Sequence, residues 1–463
     1  MSRRELISIE PINYYVTVHP ALDFWLNSEA LEAIVSIGFK WKLTYETKRH
    51  KDGEETTDID IDMVTKPMCI MSNGATFNYS KKELAARHIF HTGNVELSNC
   101  RWDYQDIISF QKKQFAIDMP SLHSMIREQF EEYMDFYDQR LYNLFPCFVI
   151  YTYFYPLFSG APIIQLWGEF KTGKTKICSL LEAMCFNPVN SSNISGSSVF
   201  RLIESRRSTV IFDESEDMMT ADRARDIRNM LLAGTGKSGE AFRQEKMPNE
   251  RYKTQSFQVF SPKIIANIAG IQLASMQSRI IRITTLGTSN IEKANKNVDQ
   301  EDDIWKQIRN HLYRICLMYG QKVIDARTSL PEHGLSGRSL FIWQGMLSVA
   351  HLCGEEVWSH MLEFAHENKE NIDSETEEDI DKPKQIARCL IEFIDSDQLH
   401  DCHYSVEELM GYLNRQVTLN SKKELGLLLG RLGMHSRGLS KSGVFRRYYE
   451  LQRDRLLAVI ERR

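Results

Sequence analysis

The chain of 463 residues contains no C-x-x-C pair. Its nine cysteines, Cys69, Cys100, Cys147, Cys178, Cys185, Cys316, Cys353, Cys389 and Cys402, stand singly. That usage reads as reduced thiols in a cytoplasmic protein and argues against structural zinc of the paired-cysteine kind. His400, Cys402 and His403 cluster, but lack a fourth ligand at metal spacing and read as a solvated loop. No apolar run approaches the roughly 18 residues of a membrane span. The candidate, Phe145–Phe158, is short and holds Pro146 and Pro156, so no membrane partner is expected. The opening MSRRELISIEP lacks the apolar core of a secretory signal. What remains is an ordinary globular composition, 42% hydrophobic and 26% charged, with room for two to four domains.

Charge is unevenly spread. Residues 421–463 hold eleven Lys/Arg against four Asp/Glu, leaving the other 420 residues at −12 within a total of −5. A basic end on an acidic body implies a polyanion partner localised at that end.

The most informative stretch is Ile163–Thr175, IIQLWGEFKTGKT. Ile163–Trp167 reads as a buried parallel strand. It runs into a full G-x-x-x-x-G-K-[ST] match: Gly168, Glu169, Phe170, Lys171, Thr172, Gly173, Lys174 and Thr175, adjoined by Lys176. A helical pattern, Ile177–Met184, follows. In this strand–loop–helix context the glycines let the backbone curl so that successive N–H groups face an anion, and the helix N-terminus adds its positive dipole end. Lys174 is expected to reach the β/γ-phosphates of ATP, and Thr175 to ligate Mg²⁺. Thirty-nine residues after Lys174, the strand Ser208–Phe212 ends in Asp213 and Glu214. Asp213 is the expected holder of the Mg²⁺ shell, and Glu214 is placed to polarise the attacking water.

The spacing predicts a β-rich domain over residues 1–110, whose Phe39, Trp41 and Tyr45 share one strand face. A helical lead-in follows over 111–160, then an α/β core over 161–290. A helical region is expected over 291–366. Residues 367–383 read as an acidic, solvated linker, with eight acids and one lysine in 367–381. Residues 384–463 read as a small basic domain of three helices and a two-stranded wing, a winged helix. Its capping box is Ser405–Glu408, and its basic wing carries Lys441, Arg446 and Arg447. Gly234–Ser238 mimics half a phosphate loop but reads as a turn at a hairpin tip that carries Lys237, Arg243 and Lys246. Asn267 ends an apolar strand, where an amide can orient water near the γ-phosphate. Arg279 heads another strand, with Arg282 as a rival for reaching a neighbouring subunit's ATP.

In that order, these elements resemble the AAA+ ATPase domain of phage- and plasmid-type replication proteins, akin to superfamily-three helicases, over about Phe154–Arg463. SSVFRLIESRRSTVIFDESE, LLAGTGKSGEAFRQEK and KKELGLLLGRLGMHSRGLSKSGVFRRYYEL carry the likeness beyond the phosphate loop. The resemblance implies sensor one at Asn267, an arginine finger at Arg279 and sensor two at Arg338. It also implies a pore hairpin at Lys237–Lys246, DNA as partner, and a homo-oligomeric ring, expected as a hexamer. The expected activity is ATP-driven movement on DNA. Its rivals are a nucleotide-controlled assembly platform, with a protein partner on residues 1–110, and a DNA-triggered defence or regulatory ATPase.

Overall fold

A computed structural model describes residues 16–19, 21–27, 30–51, 54–92, 101–113, 117–190, 196–213, 225–246, 252–268, 274–396, 403–414, 417, 421–432, 434, 436–441, 444–453 and 456–457. The chain divides into two compact units, Met1–Asn368 and Lys369–Arg463.

The first unit begins with β1 (Val16–Val18), β2 (Leu22–Leu26), β3 (Leu31–Lys51), β4 (Glu54–Met71), β5 (Thr76–Asn78), α1 (Lys81–Ala86) and β6 (Ile89–His91). An antiparallel sheet is ordered β2-β3-β4-β5, and β1 pairs with β6 in parallel. Residues 1–110 thus carry strands as their alternation predicts. One face keeps a small core of its own, with Val18, Ile34, Cys69, Met71 and Phe77, and the other packs beyond the region. Val35, Ile37 and Phe39 join one apolar cluster with Phe130, Phe148 and Met346, and Phe24 stacks on Phe154 at 6.3 Å.

The lead-in is helical: α2 (Tyr104–Gln111), α3 (Met119–Tyr133) and α4 (Leu141–Tyr151). The Asp118 side chain accepts from the Ser121 N–H at 2.9 Å to start α3, with Pro120 in the first turn. Leu122, Ile126, Phe130 and Tyr133 then recur at helical spacing and are buried.

The α/β core follows with β7 (Ile163–Trp167), α5 (Lys174–Met184), β8 (Val189–Asn190), α6 (Gly196–Arg206), β9 (Val210–Phe212), α7 (Arg225–Ala233), β10 (Glu240–Lys246), β11 (Tyr252–Gln258), β12 (Lys263–Asn267), α8 (Ala274–Gln277) and β13 (Ile280–Thr284). Five strands form an all-parallel sheet in the order β13-β7-β12-β9-β8. Ile163, Ile164 and Leu166 are fully buried between its two faces, the run expected of a doubly covered parallel strand. β10 and β11 make a separate antiparallel hairpin between β9 and β12.

The helices α9 (Ile291–Asn295), α10 (Asp303–Met318), α11 (Gly320–Thr328) and α12 (Gly337–Cys353) complete the helical region, and α13 (Glu355–Ser396) follows. The acidic stretch expected as a solvated linker is helical backbone within α13. Residues 367–381 contain no Gly or Pro, and glutamate is a good helix former, so the stretch carries helical backbone. In the second unit, α14 (Val406–Leu413) and α15 (Lys422–Arg431) accompany β15 (Ser436–Lys441), β16 (Val444–Glu450) and a short β14 (His403–Ser405), in the sheet order β14-β16-β15. The capping box is formed: Ser405 Oγ accepts from the Glu408 N–H at 3.3 Å, and Glu408 Oε2 accepts from the Ser405 N–H at 2.7 Å. Leu409, Leu413, Leu425 and Leu429 build this unit's own core. Among the described residues no helix is long and apolar enough to cross a membrane.

Candidate functional site

β7 delivers the chain to Gly168 at the C-terminal end of the parallel sheet, the end where open α/β sheets place ligands. Two backbone conditions shape the loop. A Cβ on Gly168 would lie 2.3 Å from Thr285 Oγ1 and 2.4 Å from Thr285 O, so only glycine fits beside β13. Gly173 has φ 86° and serves as the N-cap of α5 without a side-chain cap bond. The first N–H groups of α5 therefore keep no side-chain acceptor and point out of the helix end. Lys171 also adopts a positive φ of 65°.

Lys174 Nζ donates to the carbonyls of Gly168 (2.6 Å) and Glu169 (2.8 Å), which draws the loop into a curl around its own ammonium. Thr175 Oγ1 lies 3.5 Å from Asp213 Oδ1. A hydroxyl and a carboxylate converging from α5 and the end of β9 are hard oxygen donors, the set that suits Mg²⁺. Asn267, at the end of β12, is buried, and its Oδ1 accepts from Gln165 Nε2 at 3.1 Å. Glu214 lies outside the described residues.

The loop, Thr175 and Asp213 face a cavity of about 1000 Å³, and Asn267 is not among the residues that line it. Phe170–Lys176 and Asp213 line one side. The other side is formed by residues that the sequence reading did not single out: Tyr133–Asp135 at the end of α3, with Thr288, Lys293, Ala294, Asn297 and Val298 around α9. This wall is tied to the loop helix and to the lead-in. Lys176 Nζ donates to the carbonyls of Lys293 (2.5 Å) and Ala294 (3.2 Å), and burial holds its pKa below the usual lysine value. Lys293 Nζ donates to Met134 O at 2.7 Å, and Thr288 Oγ1 to Asp135 Oδ2 at 2.7 Å. No motif marks this wall; its signal is tertiary, since α3 and α9 are more than 150 residues apart.

Arg279 and Arg338 lie elsewhere. Arg279 O accepts from the Ile163 N–H at 3.1 Å, which places Arg279 at the N-terminal end of the sheet. The five residues of β7 separate that end from the loop, about 17 Å at 3.3 Å per residue. Burial and the nearby Arg338 both lower the Arg279 pKa. Arg338, expected among the nucleotide-binding residues, thus sits beside Arg279 and is not among the residues lining the cavity. It opens α12, which is packed against Gly160 at the start of β7: a Cβ there would lie 2.1 Å from Phe341 O. Arg282 lies over the Trp167 ring at 5.7 Å.

The basic hairpin also differs from expectation. Gly234–Ser238 is a turn at the root of the β10–β11 hairpin, not at its tip, because its glycines allow close backbone approach. A Cβ on Gly234 would lie 2.3 Å from Val259 O, and Gly236 bridges to Gly160. Lys237 Nζ donates to Pro156 O at 2.7 Å. The Arg243 guanidinium lies 4.9 Å from the centre of the Phe200 ring. Lys246 ends β10, opposite Tyr252. Lys263, fully buried at the start of β12, donates to the carbonyls of Gly234 (2.8 Å), Val259 (3.2 Å) and Ser261 (2.7 Å). Burial pulls its pKa down to about 7. In the second unit Lys441 pairs with Val444, Arg446 with Leu439 and Arg447 with Gly438 across β15–β16. Among the described residues no group of three or more His, Cys, Asp and Glu could hold a metal ion; His400 and Cys402 lie outside them.

No family model and no curated protein matches the chain. Among solved structures, the chain is similar to the inhibitor-bound JCV helicase at 14% identity, covering 57% of this chain and 79% of that one, with a TM-score of 0.22. A second ligand-bound JCV helicase matches at 12% identity over 63% and 76%, with a TM-score of 0.22. A third JCV helicase structure matches at 11% over 62% and 75%, with a TM-score of 0.21. Scores of this size add nothing to the reading of the site, which rests on its own geometry.

Proposed function

We propose that the chain is a ring-forming, ATP-dependent DNA motor of the AAA+ type used in mobile-element replication. The observation that carries this is the junction of the curled Gly168–Thr175 loop with Asp213 at the mouth of a roughly 1000 Å³ cavity. ATP would place its phosphates on the loop N–H groups and Lys174. Thr175 and Asp213 would hold Mg²⁺, which would supply charge neutralisation between the phosphates. Glu214 is assigned to polarise water and Asn267 to orient it. Arg279, remote from its own subunit's loop, is assigned to a neighbour's nucleotide, and that assignment is what calls for a ring, taken as a hexamer. Arg338 is the less favoured nucleotide contact, given its place beside Arg279. The three-helix and three-strand second unit is read as a winged helix that uses Lys441, Arg446 and Arg447 on DNA phosphates.

A second reading is favoured by one observation. Lys237 and Arg243 are engaged with Pro156 O and the Phe200 ring, which occupies two of the three hairpin cations assigned to gripping DNA. In that reading ATP orders an assembly platform and drives no translocation. One experiment separates the two: ATP turnover without DNA, with single-stranded DNA and with double-stranded DNA, alongside particle mass. A motor shows DNA-stimulated turnover that Lys174→Ala abolishes. Turnover indifferent to DNA, with nucleotide-dependent mass, supports the platform. Equal turnover by Lys174→Ala overturns both.

A further inference from the structure

β7 contains a residue that its position does not call for. A parallel strand covered on both faces reads as a continuous apolar run, and Ile163, Ile164 and Leu166 follow that rule. Gln165 breaks it. Its side chain is fully buried, where an amide costs stability unless its oxygen and its NH2 group both find partners. Both do, on opposite sides along the sheet. Arg282 Nε, on β13, donates to Gln165 Oε1 at 3.4 Å. Gln165 Nε2 donates to Asn267 Oδ1, on β12, at 3.1 Å. The strand register sets up this row: Arg282 pairs with Gln165, Gln165 pairs with Ile265, and Asn267 lies two residues beyond Ile265 on the same face.

The row has a direction. A guanidinium donates and cannot accept, so the end of the amide that Gln165 turns to Arg282 must be its oxygen. The Gln165 NH2 group then faces Asn267, which must answer with its own oxygen. Asn267 Nδ2 is thereby turned away from Gln165, and an arginine two strands away fixes which end of the Asn267 amide does what. Arg282 is itself held over the Trp167 ring, 5.7 Å from its centre. Trp167 Nε1 donates to the carbonyl of Ile268, the residue after Asn267, at 2.8 Å. Ala266 and Ile268, on either side of Asn267, line the nucleotide cavity.

We propose, on the reading that Asn267 acts in ATP hydrolysis, that Gln165 and Arg282 are its positioning residues. They hold the Asn267 amide with its NH2 end presented, so that it meets an oxygen as a donor. Arg282, the rival of Arg279, thereby has a role inside its own subunit. An aliphatic residue at 165 would pack as well and would leave the Asn267 amide without a set orientation.

The test compares ATP turnover and nucleotide affinity of full-length variants, with Asn267→Ala as the benchmark. Removing one oriented donor lowers kcat by about 10²- to 10³-fold, and Asn267→Ala is expected in that range. Gln165→Glu keeps the shape and the Arg282 contact but offers Asn267 only acceptors. The Asn267 amide then reverses, and kcat falls to the Asn267→Ala level. Gln165→Met leaves both orientations open, and equal populations of the two lower kcat about twofold. Both Gln165 variants keep the wild-type nucleotide Kd, since the Lys174 bond to the loop remains. A packing role predicts the reverse order, with glutamate milder than methionine. That order would overturn the proposal, as would wild-type turnover by Gln165→Glu beside a slow Asn267→Ala. If thermal melting shows Gln165→Glu unfolded, Arg282→Met and its double with Gln165→Met carry the test. Acting in series, the double is no slower than Gln165→Met alone, and losses that multiply would overturn the proposal. Wild-type turnover by Asn267→Ala, or none by the wild-type protein, would instead remove the assignment of Asn267 and the positioning roles with it.

Discussion

Gly168→Ala tests the loop geometry most directly. The added Cβ would lie 2.3 Å from Thr285 Oγ1, 2.4 Å from Thr285 O and 3.0 Å from Thr172 Oγ1. Ordinary contact starts near 3.4 Å, so the loop and β13 must part by roughly 1 Å. β13 is poorly able to move, because Thr285 N donates to Trp167 O at 2.7 Å and the strand pairs with β7 along its length. The loop therefore yields, which disturbs the Gly168 carbonyl that holds Lys174. Overpacking of this kind costs about 1–3 kcal/mol. If the loop must return to its present form to bind phosphate, ATP affinity falls roughly 5- to 150-fold. Titration with a fluorescent ATP analogue measures this, and thermal melting with and without nucleotide separates binding from folding. Thr285→Ala should not rescue the variant, since the backbone oxygen at 2.4 Å remains. Affinity within twofold of wild type, or rescue by Thr285→Ala, would refute the reasoning.

Lys263 should make stability depend on pH. Its pKa of about 7 in the fold lies below the roughly 10.4 of an unfolded chain, so between those values the unfolded state holds more protons and stability rises with pH, by up to about 1.4 kcal/mol per unit. Lys263→Met should remove that slope in chemical denaturation between pH 7.5 and 9.5, and parallel curves for the two proteins would count against the assignment. Asp213→Asn should raise the Mg²⁺ concentration needed for half-maximal ATP turnover while leaving metal-free nucleotide binding intact; an unchanged Mg²⁺ titration would remove Asp213 from the metal site. A 1:1 mixture of Lys174→Ala and Arg279→Ala chains should recover turnover above the sum of the two alone, and its absence in demonstrated mixed particles would argue that Arg279 only packs.

The Gly168–Thr175 loop between β7 and α5 was legible in the sequence because its pattern is local: two glycines, a lysine and a threonine at fixed spacing after an apolar strand. The strand ends at Asp213 and Asn267 were legible for the same reason, each being the polar residue that closes a buried run. The cavity's far wall was not, since Tyr133–Asp135 and Thr288–Val298 carry no pattern of their own and meet only when α3 packs beside α9. Lys237 and Arg243 show a different limit. Composition says that they are cations in a hairpin segment, but only the fold shows Lys237 at its root, against Pro156, and Arg243 midway along β10, against Phe200. In 367–381, charge density suggested solvation, which is compatible with a helix and says nothing against one.

Lys263 has a mechanical consequence. As an ammonium it donates three bonds that clamp the carbonyls of Gly234, Val259 and Ser261, the points where the β10–β11 hairpin leaves and rejoins the core, and above its pKa of about 7 the neutral amine keeps two donors for them. The same residue begins β12, and Asn267 ends it. β12 is hydrogen-bonded to a parallel neighbour on each side, so it cannot bend freely along its roughly 13 Å. A displacement of the hairpin's root would therefore reach Asn267 along a single buried strand paired on both sides.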